Sequence, residues 1–318
     1  MQILENIKNG STDLTESEVL ALLHIKNNSR QFYELLFLSD QLSRKKFHTK
    51  GYVFAQIGIN AEPCSKNCRF CSMGSSHYVL DASWQKNAQT IQDELQVLLK
   101  QGIDDFFLMT TADYPVAQFI RIAEAARKVL PEHIRFVANI GDFDFETAQT
   151  LKNIGITGAY HINRLREGRD TRIESATREK TLENILRAGL ELYYCIEPIG
   201  PEHSYEELSK EIMRAKNMQI AVMAAMRRIP VPGTPLFAYG KISATELTKI
   251  VAVTNLAVNP SRAMNVHEPV QMALLAGVNQ LYAEVGANPR DVQSNTEENR
   301  GFTPEKAWEM LAESGYTQ

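Results

Sequence analysis

Residues 52–71 read Tyr52-Val-Phe-Ala-Gln-Ile-Gly-Ile-Asn-Ala-Glu-Pro-Cys64-Ser-Lys-Asn-Cys68-Arg-Phe-Cys71. The apolar run at 52–59 predicts a buried strand. Three cysteines follow it at the spacing C-x3-C-x2-C, on a polar stretch that predicts a loop. In barrels of parallel strands, the loops that follow the strands carry the active site. This stretch therefore predicts a barrel whose first loop is chemically active.

Beyond this stretch, short apolar runs alternate with amphipathic segments along the rest of the chain. The predicted strands cover residues 52–59, 105–109, 134–139, 158–162, 190–196, 220–226, 262–266 and 280–284. The predicted intervening helices cover residues 90–101, 117–129, 145–154, 179–188, 205–217, 244–258 and 269–276. Eight strands that alternate with seven helices favour an α/β fold, a closed (β/α)8 TIM-type barrel, over an open doubly wound sheet. No GxGxxG follows the first strand, which also disfavours the open sheet.

The first fifty residues differ in pattern and predict an N-terminal helical extension. Thr15-Glu-Ser-Glu18 has the form of a capping box ahead of an apolar run, and a second helix is expected at about 30–42. We expect a division into an extension at 1–50 and a barrel at 51–318. Residues 286–301 are polar and predict a loop before a final helix at 303–314, which Thr303 and Pro304 begin well.

The composition is that of an ordinary globular protein. The chain has 318 residues, 44% hydrophobic, with a formal net charge of −4. This balance does not suggest nucleic acid or an anionic membrane as a partner. No apolar run approaches the roughly 20 residues that span a bilayer, and the first residues lack a signal-peptide pattern. We therefore expect a cytoplasmic protein.

Four cysteines are present, and three of them fall within eight residues. In a cytosolic chain such a group more often binds metal than forms disulfides. Three thiolates on one loop can hold three irons of a [4Fe–4S] cluster and leave the fourth iron open to another ligand. A zinc site is the alternative, with His77 or Cys195 as the fourth ligand.

The motif resembles that of the radical S-adenosylmethionine (SAM) superfamily, in which an aromatic residue, here Phe70, precedes the third cysteine. The resemblance implies one [4Fe–4S] cluster and SAM as cofactors, with SAM bound to the open iron through its amino and carboxylate groups. One electron then cleaves SAM to methionine and a 5′-deoxyadenosyl radical, which abstracts a substrate hydrogen. It also implies a small-molecule substrate and an external electron donor of the flavodoxin or ferredoxin type.

Further stretches are similar to the biotin synthase branch of that superfamily. They are Val137-Ala-Asn-Ile-Gly141, His161-Ile-Asn163, Pro232-Gly-Thr-Pro-Leu236 and Leu274-Leu-Ala-Gly-Val-Asn279. Biotin synthase itself needs three more cysteines and an arginine for a second, sulfur-donating cluster. Here the third strand offers no cysteine, His267 lies near the expected arginine, and Cys195 is the one cysteine outside the motif. The resemblance therefore excludes biotin synthase and other sulfur-inserting members.

The resemblance also implies a set of SAM contacts. Asp113, in the turn after the second strand, would bind the SAM ammonium group, although a simple turn carboxylate would explain it equally well. Asn163 would bind the ribose hydroxyls. Five arginines follow the fourth strand, and Arg178 is the favoured partner of the SAM carboxylate, although such a group could be a solvated basic face. The others are Arg164, Arg166, Arg169 and Arg172. Ile199 and Gly200 would let the adenine approach.

Charged residues at the predicted barrel mouth are candidate substrate contacts. They are Glu197, Arg227, Arg228, His267 and Glu268, with His203 and Glu284 as weaker members. If they face inward, the substrate is polar and anionic; an exposed surface would explain them equally well. Cys195 is expected to be a buried small residue or, failing that, a substrate contact.

Three functional hypotheses follow. The leading one is hydrogen abstraction from a small substrate in a mutase, lyase or cofactor-building reaction. The preferred specific relative is the maturase of the iron-guanylylpyridinol hydrogenase cofactor, which residues 164–171 and 197–203 suggest. A methylornithine synthase-like mutase is the rival. A scaffold that carries a cluster without turnover is the alternative from another class.

Overall fold

The computed structural model describes residues 2–11, 13–80, 82–267, 270–284 and 302–318. Eight parallel strands form a closed barrel in chain order, in which β1 pairs with both β2 and β8. The strands are β1 Tyr52–Gly58, β2 Asp105–Met109, β3 Arg135–Asn139, β4 Gly158–Tyr160, β5 Glu191–Ile199, β6 Ile220–Arg227, β7 Ala263–Val266 and β8 Gln280–Glu284. The predicted (β/α)8 barrel is confirmed.

Helices surround the barrel and precede it. They are α1 Gln2–Lys8, α2 Glu16–Leu23, α3 Arg30–Phe47, α4 Ala88–Gln101, α5 Val116–Arg127, α6 Phe145–Asn153, α7 Ser175–Arg187, α8 Tyr205–Lys216, α9 Ala244–Val258 and α10 Pro304–Glu313. The capping box at Thr15 is present, with both of its reciprocal hydrogen bonds to Glu18. Thr303 caps α10 with Pro304 at its start, as predicted.

Helix α3 is five residues longer than the predicted helix at 30–42. Its buried face includes Ser39 and Ser43, which the apolar pattern does not reveal. The Asn255 side chain of α9 donates to the hydroxyls of both serines, at 2.9 and 3.0 Å. These hydrogen bonds allow Ser39 and Ser43 to be buried, so the buried face of α3 continues to Phe47. The division of the chain at residue 50 stays a prediction.

The predicted helix at 269–276 is a 3-10 helix at Gln271–Ala276, and residue 269 lies outside the described residues. Gly277 ends it with a φ of 87°, and the Ser39 hydroxyl donates to the carbonyl of Ala276 at 2.6 Å. This hydrogen bond joins α3 to the end of the 3-10 helix.

Two strand ends and one helix start also differ from the predicted ones. Strand β5 continues to Ile199, three residues further than predicted, while β4 stops at Tyr160. Helix α7 begins at Ser175 rather than near 179. The predicted loop at 286–301 lies outside the described residues. Within the described part of the chain, no helix is long and apolar enough to cross a membrane.

Candidate functional site

The three cysteines of the motif lie on the loop after β1, at the carboxyl-terminal end of the barrel strands. Backbone hydrogen bonds close this loop. Cys64 N–H donates to the carbonyl of Met73 at 2.7 Å, and Cys71 N–H donates to that of Cys68 at 2.9 Å. Asn67 adopts a left-handed φ of 45°, which asparagine tolerates better than most residues. The motif is therefore held as a closed turn.

His77 supports this turn from within the loop. Its Nε2 lies 3.1 Å from the carbonyl oxygens of both Cys68 and Cys71, and its Nδ1 lies 3.2 Å from the hydroxyl of Ser76. Both ring nitrogens are thus used in hydrogen bonds, so the geometry does not offer His77 as a fourth zinc ligand. Within the described ranges, no three His, Cys, Asp or Glu side chains are grouped to hold a single metal ion.

All three thiols line one cleft of about 670 Å³ at the barrel mouth. Burial raises the pKa of the Cys64 thiol, and it raises that of Cys68 to about 12. The neighbouring thiols add to this rise because one thiolate disfavours another nearby. Three thiolates this close together need a metal cation to bind, and thiolates are the usual ligands of the iron in iron–sulfur clusters. The three cysteines therefore fit a cluster bound at three corners.

Two buried arginines line the same cleft. Arg178 is 4% exposed; its Nη1 donates to Asp142 at 3.2 Å, and its Nε lies 3.4 Å from Glu167. Arg164 Nε lies 3.5 Å from the carboxylate of Glu197. Neither Nε makes a hydrogen bond in this structure. Each arginine therefore has an N–H group with a weak partner beside the cysteines.

The two guanidinium groups oppose each other electrostatically. Burial and the charge of Arg164 lower the pKa of Arg178. Burial also works against the charge of Arg164, but Glu197 and the Cys68 thiol raise the pKa of Arg164 above its ordinary value. A carboxylate placed between them would relieve this repulsion, and guanidinium groups bind carboxylates in a bidentate manner. The cleft is therefore suited to an anionic group next to the cysteines.

His161 lines the same cleft as Arg164 and Arg178. It is 2% exposed, and its Nε2 lies 3.1 Å from Asp142. Burial lowers the pKa of His161 to about 4, so the imidazole is neutral near pH 7. Burial also acts on Asp142, but the hydrogen bond to His161 and the charge of Arg178 hold its pKa at about 2.

A second cleft of about 510 Å³ lies beside the first and shares Cys68, Cys71 and Arg164 with it. Its other walls come from the cysteine loop and from the ends of β5 and β6. They are Phe70, Ser72, Glu197, Pro198, Met226, Arg228, Ile229 and Val231. The Glu197–Pro198 peptide bond is cis.

Gly200 lies next to a buried ion pair rather than to open space. Arg228, 1% exposed, pairs with the carboxylate of Glu202 and donates to the carbonyl of Gly240 at 3.0 Å. A Cβ on Gly200 would overlap both Nη1 of Arg228 and Oε2 of Glu202. Ile199 is buried in β5, and its carbonyl accepts from Arg228 N–H at 2.7 Å.

Asp113 is bonded to the cysteine loop. Its carboxylate accepts from the Ser65 N–H at 2.5 Å and from the Ser65 hydroxyl at 2.8 Å, with Lys66 3.6 Å away. Burial opposes ionisation, but these partners hold the pKa of Asp113 below its ordinary value. Its predicted contact with SAM stays a prediction.

Asn163 is 3% exposed at the end of β4. Its amide nitrogen donates to Ser175 at 2.6 Å, and its Oδ1 is buried without a hydrogen bond. The backbone N–H of Asn163 donates to the hydroxyl of Tyr194 at 3.3 Å. An acceptor atom is thus held in place at the position where the ribose contact is predicted.

The remaining predicted residues do not all converge on the clefts. Arg227 donates to the carbonyl of Ile242 at 3.1 Å and is not among the residues that line either cleft. His267 lines a separate cavity inside the barrel. His203 accepts from Gly200 N–H at 2.9 Å. Glu268 and the side chain of Glu284 lie outside the described residues, and Cys195 is fully buried in β5.

Sequence reasoning underrated Arg164 and did not single out Tyr160 or His161. All three line the first cleft, and they come from β4 and the loop after it. Their position could have identified them: Tyr160 ends a short strand and the other two follow it. That end of a barrel is where parallel strands present side chains to a ligand.

No family model matches the chain. Biotin synthase from Ehrlichia canis is 25% identical over 285 residues, which cover 83% of this chain and 85% of that protein. Biotin synthase from Acetivibrio thermocellus is 24% identical over 267 residues, covering 80% and 81%.

Solved structures share the fold over nearly the whole chain. Methylornithine synthase (PylB) superimposes with a TM-score of 0.84 at 16% identity, covering 99% of this chain and 96% of that one. HydG, a maturase of the [FeFe]-hydrogenase, has the same TM-score and identity, covering 99% and 74%. At this identity, the likeness to these structures establishes the barrel fold.

Proposed function

Because the chain belongs to the biotin synthase-like branch of the radical SAM superfamily, we propose that it binds one [4Fe–4S] cluster on Cys64, Cys68 and Cys71 and abstracts hydrogen from a small polar substrate. Cys64, Cys68 and Cys71 would hold the cluster, which would supply the one-electron reductive cleavage of SAM that this superfamily uses to start hydrogen abstraction from a substrate. An external donor of the flavodoxin or ferredoxin type supplies that electron.

The observation that carries this proposal is the shared cleft. The three thiols and the buried Arg164 and Arg178 line the same 670 Å³ at the carboxyl-terminal end of the barrel. A cluster ligand set and a carboxylate-binding pair thus lie side by side. That juxtaposition suits SAM, which carries a carboxylate close to its sulfonium group.

The chain's own residues would position SAM across both clefts. Arg178, assisted by Arg164, binds its carboxylate, and Asp113 binds its ammonium group. The Asn163 Oδ1 accepts from a ribose hydroxyl. The second cleft, whose walls include Phe70 and the ends of β5 and β6, would receive the adenine. Ile199 and Gly200, at the end of β5, would shape the backbone beside it.

Substrate contacts are proposed for Glu197 and Arg228, which line the second cleft, and for His267 inside the barrel. The predicted roles of Arg227 and Glu268 stay predictions, and Glu268 lies outside the described residues. Besides the three cysteines of the motif the sequence contains one cysteine, Cys195, which argues for a reaction other than sulfur insertion. A location in the cytoplasm stays a prediction.

Cofactor building of the iron-guanylylpyridinol maturase kind is the preferred reaction. This preference rests on the resemblance of residues 164–171 and 197–203 to that relative. In this structure the first of these runs contacts the cysteine loop, where Arg69 donates to Asp170 at 3.0 Å. A methylornithine synthase-like rearrangement is the rival reaction. A cluster-carrying scaffold is the alternative from another class.

Anaerobic reconstitution followed by iron and sulfide analysis, reduction with dithionite and addition of SAM tests the proposal. We expect about four irons per chain, which is the content of one [4Fe–4S] cluster, and 5′-deoxyadenosine by chromatography. A fully loaded protein that binds SAM but never forms 5′-deoxyadenosine would be a scaffold. Zinc in place of iron would overturn the cluster itself.

A further inference from the structure

The residues that follow the third cysteine fold back over the motif. We call residues 72–77 the return segment. Its backbone pairs with the first cysteine: Cys64 forms an isolated β-bridge with Gly74, and the Ser75 N–H donates to the carbonyl of Cys64 at 2.9 Å. The first proposed cluster ligand is therefore anchored by main-chain hydrogen bonds that lie outside the C-x3-C-x2-C motif itself.

The other two cysteines are anchored by one side chain of the return segment, His77. Its Nε2 lies 3.1 Å from the carbonyl oxygens of both Cys68 and Cys71. Because both neighbours are acceptors, Nε2 carries the hydrogen and shares it between them in a three-centre bond. The Cys71 carbonyl also accepts from the Gly74 N–H, at the longer distance of 3.4 Å. One imidazole N–H thus joins the backbone of the second and third ligands.

Gly74 makes the space in which this ring lies. The His77 N–H donates to the carbonyl of Gly74 at 3.0 Å. A Cβ on Gly74 would overlap the Cε1 and Nε2 atoms of the His77 ring. Gly74 is not among the glycines with positive φ, so its backbone conformation would accept an alanine. The glycine is therefore required here by the imidazole and not by the turn.

The far side of the ring is tied to the motif as well. The Ser76 hydroxyl lies 3.2 Å from Nδ1 of His77 and 2.8 Å from Oδ1 of Asn67. The Ser76 N–H donates to the same oxygen at 2.7 Å. Asn67 lies between the first two cysteines and is buried. Contacts at both ring nitrogens therefore fix the orientation of the imidazole.

The positions of the cysteines matter more here than in a site with four protein ligands. The proposed cluster leaves one iron without a ligand from the motif, so three thiolates provide its attachment. A shift of Cys68 or Cys71 would remove one of only three bonds to the protein. Groups that orient metal ligands commonly change metal affinity by roughly 10–100-fold.

We propose, resting on the proposed function, that the cluster motif of this chain extends from Cys64 to His77. His77 is a positioning residue, which acts through Cys68 and Cys71 and not as a ligand. Its N–H holds the two carbonyls, and with them the two thiolates, at the spacing that retains the cluster. Gly74 belongs to the motif because it admits the ring.

Two substitutions separate the N–H of His77 from its bulk. His77→Phe keeps a ring and removes the donor, whereas His77→Gln keeps an N–H donor at a similar reach. Each protein is reconstituted anaerobically with iron and sulfide and then mixed with excess iron chelator, and the decay of the cluster absorbance gives the rate of loss. We expect His77→Phe to lose the cluster about 10-fold faster than the native chain, and His77→Gln to stay close to native. Equal rates for His77→Phe and the native chain, or for the two variants, would overturn the inference.

Gly74→Ala tests the same contact from the other side and decides the matter if His77→Phe does not fold. It should displace the ring and release the cluster about as fast as His77→Phe. In a His77→Ala background the same change should add nothing, because the ring that it displaces is gone. If Gly74→Ala accelerated the loss equally in both backgrounds, the glycine would act independently of His77 and the extended motif would be wrong.

His133→Phe is the control, since His133 is exposed and its change should leave the rate of loss native. A native chain that takes up no four-iron cluster overturns the proposed function, and this inference with it. A native chain that loads the cluster, with His77→Phe equally retentive, overturns this inference alone. The expected rates in a protein that forms no 5′-deoxyadenosine from SAM would overturn the proposed reaction and support the extended motif.

Discussion

The hydroxyl of Tyr160 on β4 donates a hydrogen bond of 2.9 Å to the carboxylate of Glu197 on β5, and both side chains are buried. Arg164 lies 3.5 Å from the same carboxylate. Because Tyr160 lines the cysteine cleft and the inner cavity, while Glu197 lines the second cleft, this contact connects all three spaces. The hydrogen bond therefore ties the end of β4 to the end of β5 where the three spaces meet.

Tyr160→Phe removes the donor and leaves the Glu197 carboxylate with one less partner. We expect the free energy of unfolding to fall by about 1–3 kcal/mol, the usual cost of a buried acceptor that loses its donor. Urea unfolding measures it. Tyr316→Phe is the matched control, since its hydroxyl lies 3.5 Å from Asp40, and its loss should stay below about 1 kcal/mol. Equal losses would contradict the role given to Tyr160.

Replacing Cys64, Cys68 or Cys71 singly with alanine should prevent formation of a stable cluster, because each substitution removes one of the three thiolate ligands. The iron content after anaerobic reconstitution and the formation of 5′-deoxyadenosine should both drop to background. Cys195→Ala is the control: that residue is fully buried in β5, and its change should leave the iron content intact while costing about 1 kcal/mol of stability. Iron lost equally in all four variants would argue against the motif as the ligand set.

Arg178→Lys keeps a positive charge but removes the fork that binds a carboxylate in two places. We expect the dissociation constant of SAM, measured by calorimetry on the reconstituted protein, to rise at least about 10-fold, or 1.4 kcal/mol. Arg214→Lys serves as the control, since Arg214 pairs with Glu179 at the surface. If Arg164→Lys, and not Arg178→Lys, weakened SAM binding, the carboxylate would belong to Arg164.

His161 should make stability depend on pH. Burial lowers the pKa of His161 to about 4 from an ordinary 6.5, so the unfolded chain takes up a proton first as the pH falls. Stability is therefore complete above about pH 6.5 and is lost progressively towards pH 4, by up to roughly 3 kcal/mol. Asp142, with a pKa of about 2, titrates below this window.

Thermal unfolding of His161→Gln between pH 7 and pH 4 checks this dependence. The variant should show a flatter profile than the native chain, whereas His133→Gln, at an exposed position, should keep the native slope. A profile unchanged by His161→Gln would mean that another group carries the pH dependence.

The pattern of the chain was sufficient for the barrel and for the cysteine site. Each strand unit has its own apolar run, and the proposed ligands Cys64, Cys68 and Cys71 lie within eight residues, so local spacing alone singles them out. The long helix α3 and the 3-10 helix at Gln271–Ala276 were harder to predict, because the buried Ser39 and Ser43 carry polar side chains on an interior face.

What only the tertiary structure decided is which distant side chains meet. The choice of Arg164 beside Arg178, the contact of Tyr160 with Glu197, and the amide of Asn265 held by Gln280 all depend on closure of the barrel. Closure brings strands that are remote in sequence into register, and it sets which face of each strand points inward. Local sequence encodes the alternation of faces, but the partner across the lumen depends on the stagger of the whole sheet.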